Sequence, residues 1–338
     1  MPASDAASDA APSLPVYSSV VPVAKTNCAN PLGTTALSLD SFQSHPPQTL
    51  ATRPINGGVS GFVATSALSI DECTALVAQT EKAGYTFWHP TDTPAKRAFR
   101  AADTVEVHSP ELADILWSRL GQYVAPRVRL VDEDEGDGDA DGDAEESDDR
   151  GAEGTWVAYG VNPDMLFARY DEGGHFAPHT DGSAVVNFND RSLYSLLVYL
   201  TTTGGGGGTR IVRPGNEAGI GTGALATDDL GRFRHTLGDD AYVDCCPCVA
   251  GNAMAFRQTA YHEGEPVEVG GKTKYIIRTD IMFRRVPPIC AETPEDLKAF
   301  EFYREANQLE ASGDAEEACK LYQRVTKLSP QLAAKLKV

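Results

Sequence analysis

His179 and Asp181 stand two positions apart within the segment FARYDEGGHFAPHTD. In an extended chain, side chains at i and i+2 leave the same face, so an imidazole and a carboxylate at this spacing can converge on one ion. A lone His-x-Asp is common by chance and says little. A third donor, His262, follows AMAFRQTAY and opens HEGEPVEVGGKTKYIIRTDIMF. Two imidazoles with one carboxylate form the donor set of open-sited non-haem ferrous iron, which keeps positions free for a co-substrate and dioxygen. His175 and His235 have no partner at ligand spacing and are expected in loops.

An open ferrous site that activates dioxygen needs a two-electron co-reductant. The keto acid 2-oxoglutarate supplies one by chelating the metal while a cation fixes its far carboxylate. Lys274 and Arg278 lie four apart in KYIIRTDIMF and so share one face of a strand. Arginine would give a bidentate clamp and lysine a point charge, and the two stand as alternatives. Lys272 precedes the apolar run and is expected in the turn.

Positioning these residues requires strands. Between Trp156 and Phe283, the runs LFARY, SLLVYL, TRIV, AMAF and KYIIRTDIMF are rich in branched and aromatic residues and are separated by Gly and Asp turns. They predict a sandwich or small barrel. The Gly204–Gly208 run lacks the Lys and Ser/Thr of a phosphate loop and reads as a turn. Two helices are predicted upstream. One opens with a Ser69–Glu72 capping box, carries Cys73, Leu76, Val77 and Thr80 on its apolar face and stops at Gly84. The other opens at Ser109-Pro110.

After Pro287-Pro288 the pattern is helical again. Phe302, Ala306, Leu309, Ala318, Tyr322 and Pro330, with Gly313-Asp314 in the turn, resemble one tetratricopeptide repeat over residues 294–338. A single repeat cannot bury its own face, so this hairpin is expected to dock on the barrel, with binding of a partner protein as the alternative.

The segments RYDEGGHFAPHTD, RSLYSLLVYL, GGTRI, AGNAMAF and HEGEPV with KYIIRTDIMF occur in an order that resembles the prolyl 4-hydroxylase-like 2-oxoglutarate/Fe(II) dioxygenases, over about residues 60 to 286. The resemblance implies an α+β fold with a double-stranded β-helix (jelly-roll, cupin-like) core and flanking helices, here followed by the helical hairpin. It implies that His179, Asp181 and His262 hold Fe(II), and that Lys274, with Arg278 as the alternative, takes the 2-oxoglutarate carboxylate. Tyr170 would close the strand before the metal pair, and Tyr199 would hydrogen-bond the co-substrate. Ascorbate is implied as a further reductant. The activity implied is hydroxylation of a C–H bond, first of all in a protein side chain such as proline, with release of succinate and CO2. A small metabolite is the second choice of substrate. The contrasting reading is a catalytically silent barrel whose helical tail recruits partners.

Composition narrows the partners. The chain has 338 residues, with 29 Lys+Arg against 48 Asp+Glu, for a net charge of −19. A run of 12 acidic residues between Asp132 and Asp149 carries most of this, leaving −7 elsewhere. With no basic cluster, nucleic acid and anionic membrane are not expected as partners. The run, within an insertion at about 131–154, imitates a calcium loop at Asp137, Asp139 and Asp141. Asp148 stands where a bidentate Glu is needed, however, so the expectation is a solvated, disordered insertion. Residues 1–58, rich in Ser, Ala and Pro without period, are likewise expected to be a disordered tail ahead of a domain over 59–288. No basic-then-apolar leader and no long apolar run occur, so an intracellular location, cytoplasmic or nuclear, is expected. Seven cysteines, an odd number, suggest free thiols. The group Cys245, Cys246 and Cys248 falls short of zinc spacing and is expected to be small residues before a strand.

Overall fold

The computed structural model describes residues 37–43, 50–131, 144–146, 151–215, 225–227, 233–235 and 237–338. The strand Asp190–Tyr199 is buried at all ten positions. Such a continuous run arises when both faces of a sheet are covered. Alternation then sorts its side chains. Leu196 and Val198 face one core, and Leu197 and Tyr199 face another. Each fully buried leucine in these layers contributes about 1.5–3 kcal/mol.

This strand pairs antiparallel with Ala253–Arg257 on one side and Lys274–Arg285 on the other. Gly61–Thr65 extends the sheet beyond Ala253–Arg257. At the other end, Lys274–Arg285 pairs with both Asp164–Tyr170 and Gly154–Val161. Asp103–His108 adds to Asp164–Tyr170. A smaller antiparallel sheet runs in the order Tyr242–Cys246, Thr209–Val212, His262–Gly264, Phe176–His179. Ile211 and Cys246 from it meet Tyr170, Leu197, Tyr199, Phe256 and Ile276 of the large sheet in one core, so the two sheets face each other in a jelly-roll-type sandwich. The far face of the large sheet is covered by the helices Ile70–Ala83 and Pro110–Leu120 through Leu76, Leu112 and Leu116. Both helices begin where the sequence signals placed them. Ser69 and Glu72 form the reciprocal capping box, and Ser109 caps a helix with proline in its first turn.

Several features depart from the sequence reading. Order begins before residue 59: Ala51–Pro54 pairs with Gly61–Thr65, and Leu37, Leu39 and Phe42 pack against the core. The rest of the expected tail, residues 1–36 and 44–49, lies outside the described residues. Most of the acidic insertion does too, although the backbone of Ala144–Glu146 pairs in parallel with Arg129–Val131. The short helix Pro94–Phe99 and the strand Asp103–His108 carried too few periodic residues to be foreseen. Cys245 and Cys246 end a strand instead of preceding one, and Cys248 follows in the loop. All six described cysteines are free. The Gly204–Gly208 turn is tightly held. Gly206 has φ +62°, and a Cβ there would lie 2.1 Å from the Pro266 carbonyl oxygen, which explains glycine at that position.

The C-terminal helices Pro294–Ser312, Ala315–Leu328 and Pro330–Leu336 dock on the sandwich. Phe188, at a hairpin tip, inserts among Ala299, Phe300, Tyr303, Val325 and Leu332. Its ring centroid is 4.8 Å from that of Phe300, edge to face. Among the described residues, no helix is long and apolar enough to cross a membrane.

Candidate active site

Antiparallel pairing, more than spacing, assembles the site. His179 ends the strand Phe176–His179, His262 begins His262–Gly264, and the two are register partners, with ring centroids 4.2 Å apart. Asp181 lies beyond the strand end, where its backbone N–H donates to the Gln258 carbonyl at 3.1 Å. The alternation argument for the His179–Asp181 pair is therefore corrected: the chain turns after His179 and returns the carboxylate to the imidazoles. One ligand atom from each of the three residues lies within 4.8 Å of the others.

The backbone sets the tautomers. His179 Nδ1 is 2.7 Å from the Ala177 carbonyl and His262 Nδ1 is 3.0 Å from the Ala260 carbonyl. A carbonyl only accepts, so each Nδ1 carries the hydrogen and each Nε2 presents its lone pair inward. These nitrogens lie 3.7 and 3.6 Å from the Asp181 oxygens. Burial, with the neighbouring His262, pushes His179 down to about 3. Burial also lowers His262. Burial alone would push Asp181 up, but Arg278, the imidazoles and the Ser195 hydroxyl outweigh it and hold the carboxyl well below its usual range. Two neutral imidazoles and one ionised carboxylate form a set that fits a divalent cation such as Fe(II).

Supporting groups fix the carboxylate. Ser195 Oγ donates to Asp181 Oδ2 at 2.5 Å. Arg278 lies 3.4 Å from Asp181 Oδ1 and 3.0 Å from Asp280 Oδ1, and it also donates to the Gly182 carbonyl. Its charge is thus engaged by two carboxylates. Ser195 had no motif to mark it, since a serine inside an apolar strand reads as core.

A cavity of about 550 Å³ opens beside the triad and is lined by Tyr170, Thr209, Lys274, Ile276 and Arg278 among others. Lys274 is only 2% exposed. Its Nζ lies 4.8 Å from the Tyr170 ring centroid and 5.7 Å from that of Tyr199. No carboxylate among the described residues forms an ion pair with it. A buried ammonium without a counter-charge is unfavourable unless a ligand supplies one. Tyr170 ends its strand, where the sequence resemblance placed it, and its side chain lines the cavity. The Tyr199 hydroxyl instead donates to Thr209 Oγ1 at 2.6 Å and lies 3.3 Å from the Cys246 carbonyl, so Thr209 is what the cavity meets there. His175 is a buried loop residue whose ring nitrogens contact the Gly173 and Ala98 carbonyls. The His235 side chain lies outside the described residues.

Residues 165–279 match the family model of the 2OG-Fe(II) oxygenase superfamily. The stretch is a 2OG-Fe(II) oxygenase domain. It holds all three ligand candidates together with Lys274 and Arg278, and the family implies Fe(II) and 2-oxoglutarate as the groups bound. No curated protein matches the chain in sequence. Among solved structures, the chain is similar to the viral collagen prolyl hydroxylase of Paramecium bursaria Chlorella virus-1, in complex with 2OG. The identity is 15%, covering 70% of this chain and 97% of that one, with a TM-score of 0.31. It is also similar to a Pseudomonas putida prolyl-4-hydroxylase, at 12% identity, 70% and 92% coverage and a TM-score of 0.34. A third similar structure is the non-haem alpha-ketoglutarate-dependent carbocyclase SnoK from nogalamycin biosynthesis, at 14% identity, 70% and 80% coverage and a TM-score of 0.34.

Proposed function

We propose that the oxygenase domain is an Fe(II)- and 2-oxoglutarate-dependent dioxygenase that hydroxylates a C–H bond of a protein side chain such as proline, releasing succinate and CO2. The observation that carries this reading is the pairing, in one cavity, of a three-ligand face with a buried cation that has no carboxylate partner among the described residues. When bound, the ferrous ion with its keto acid supplies the dioxygen chemistry.

The chain's own residues would do the rest. His179, Asp181 and His262 would hold the ion on one face, with both imidazoles fixed by backbone carbonyls. Ser195 and Arg278 would keep the Asp181 carboxylate oriented and ionised. Lys274 would take the far carboxylate of 2-oxoglutarate, with Tyr170 shielding that contact from water. Arg278, already held between Asp181 and Asp280, is a positioning residue in this reading and not the clamp. Ascorbate, if used, would act as a reductant from solution.

The test is to treat cell-extract proteins with the wild type or Asp181→Ala, each with Fe(II) and 2-oxoglutarate, and to map side chains by mass spectrometry. The expected result is a wild-type-specific gain of one oxygen on a small set of peptides. Identical peptide masses with both proteins would defeat the protein-substrate reading.

A further inference from the structure

The cavity carries a second buried cation that the reaction outlined above leaves unused. Arg100 is 8% exposed and lines the cavity beside Trp88 and Phe176. Its guanidinium carbon lies 4.6 Å from the Phe176 ring centroid, 5.9 Å from Trp88 and 6.0 Å from Tyr170. Aromatic faces attract a cation but accept little in the way of hydrogen bonds, and a guanidinium has five N–H donors. Among the described residues, no hydrogen bond or ion pair is formed by this guanidinium, and its Nε is buried without a partner. Two other arginines of the interior have charged partners for their guanidiniums. Arg119 pairs with Glu72 and with the Ala67 carbonyl, and Arg278 with two aspartates.

The position is also rigid. The Arg100 N–H donates to the Lys96 carbonyl at 2.8 Å, and its carbonyl accepts from Trp88 Nε1 at 2.7 Å. The backbone forms a bridge to Phe176, three residues before His179. His175 ties the same segment down through the Ala98 carbonyl. A planar donor fork is thus held next to the metal ligands, with acceptors missing on the cavity side.

We propose that Arg100 binds a carboxylate of the substrate, so that the molecule hydroxylated is a carboxylic acid oriented by a guanidinium clamp. This rests on the oxygenase reading. The substrate is defined by its anionic group, either the free carboxylate of a small acid or an acidic side chain of a peptide. The carboxylate would supply the missing acceptors as a bidentate pair in a site walled by aromatic rings, where charge-assisted bonds are strong.

The test uses the full chain loaded with Fe(II) and 2-oxoglutarate. The first arm supplies the free protein amino acids and their α-amides. The second supplies end-blocked tripeptides containing Asp or Glu and their Asn or Gln counterparts. Succinate formation and a gain of one oxygen are read for each probe, and the affinity for 2-oxoglutarate is read separately by calorimetry. The expected result is turnover of at least one acid, with its amide partner at least tenfold poorer in kcat/KM. The arm that contains this acid identifies the source of the carboxylate. Arg100→Gln should raise KM for that acid at least tenfold and erase the preference over the amide, while 2-oxoglutarate affinity moves less than twofold. Arg100→Lys should recover part of the preference, which separates lost charge from misfolding.

Amides served as well as acids, or no acid served by an enzyme that does form succinate, would overturn the proposal alone. So would a tenfold loss of 2-oxoglutarate affinity in Arg100→Gln, because the guanidinium would then serve the keto acid. No succinate from the wild type under any condition would overturn both this inference and the oxygenase reading.

Discussion

Replacing Lys274 with methionine should separate binding from stability. Lys274 is 2% exposed and forms no ion pair with any described carboxylate, so in the ligand-free protein its side chain is buried without a counter-charge. Methionine fills nearly the same space without that charge. Exchanging buried ionic groups for apolar ones has stabilised other proteins by about 1–4 kcal/mol, and a gain of that order is expected here. Each kcal/mol would raise Tm by roughly 2–4 °C for a chain of this class. In contrast, the variant would leave the 2-oxoglutarate carboxylate unpaired in a buried site. The loss is about 2–5 kcal/mol, or roughly 30-fold to several thousand-fold in Kd. Thermal melts with and without 2-oxoglutarate, under argon with Fe(II), read both effects. The wild type should gain about 2.7 kcal/mol at a hundredfold excess over Kd, and the variant at most about 0.9 kcal/mol at the same concentration. An apo variant less stable than the wild type, or one that binds 2-oxoglutarate equally well, would refute the argument that this cation waits for an anion.

Other outcomes follow from neighbouring contacts. Ser195→Ala removes the 2.5 Å bond to Asp181 and should weaken Fe(II) affinity about 10- to 100-fold, as lost outer-shell bonds do, measured by anaerobic metal titration. Deleting residues 294–338 strips the cover from Phe188 and should give an aggregating protein by light scattering; a well-behaved monomer with unchanged Tm would show that the helices contribute little to the sandwich. Burial pushes the Cys73 and Cys246 thiols up to about 12 from 9.0. Because the unfolded thiols ionise first, folding stability should fall as pH rises above 9, by at most about 1.4 kcal/mol per unit per thiol. Urea titrations at pH 8 and 10 check this, and equal stabilities would contradict it.

The strands that carry the site were legible because each is a short branched or aromatic run between turns, and both upstream caps were legible because their chemistry is local. His179, Asp181 and His262 were found by residue type. What places them together is the pairing of Phe176–His179 with His262–Gly264, a non-local fact that spacing does not contain. Lys274 and Arg278 looked equivalent on one strand face. They differ only because Asp181 and Asp280 reach Arg278 and no described carboxylate pairs with Lys274. Arg100 and Ser195 gave no sequence signal, since one sits in an ordinary basic stretch and the other in an apolar strand. The strand Ala51–Pro54 was hidden in a segment of low-hydrophobicity composition, and its order comes from an edge offered by Gly61–Thr65.

The ferrous site is tested by an anaerobic titration of the wild type with Fe(II) and then 2-oxoglutarate, followed by admission of air and measurement of succinate, with Asp181→Ala and His262→Ala in parallel. The prediction is one ferrous ion and one keto acid per chain in the wild type, succinate on oxygenation, and loss of metal binding and succinate in both variants. Tight iron binding and undiminished succinate in either variant would contradict it.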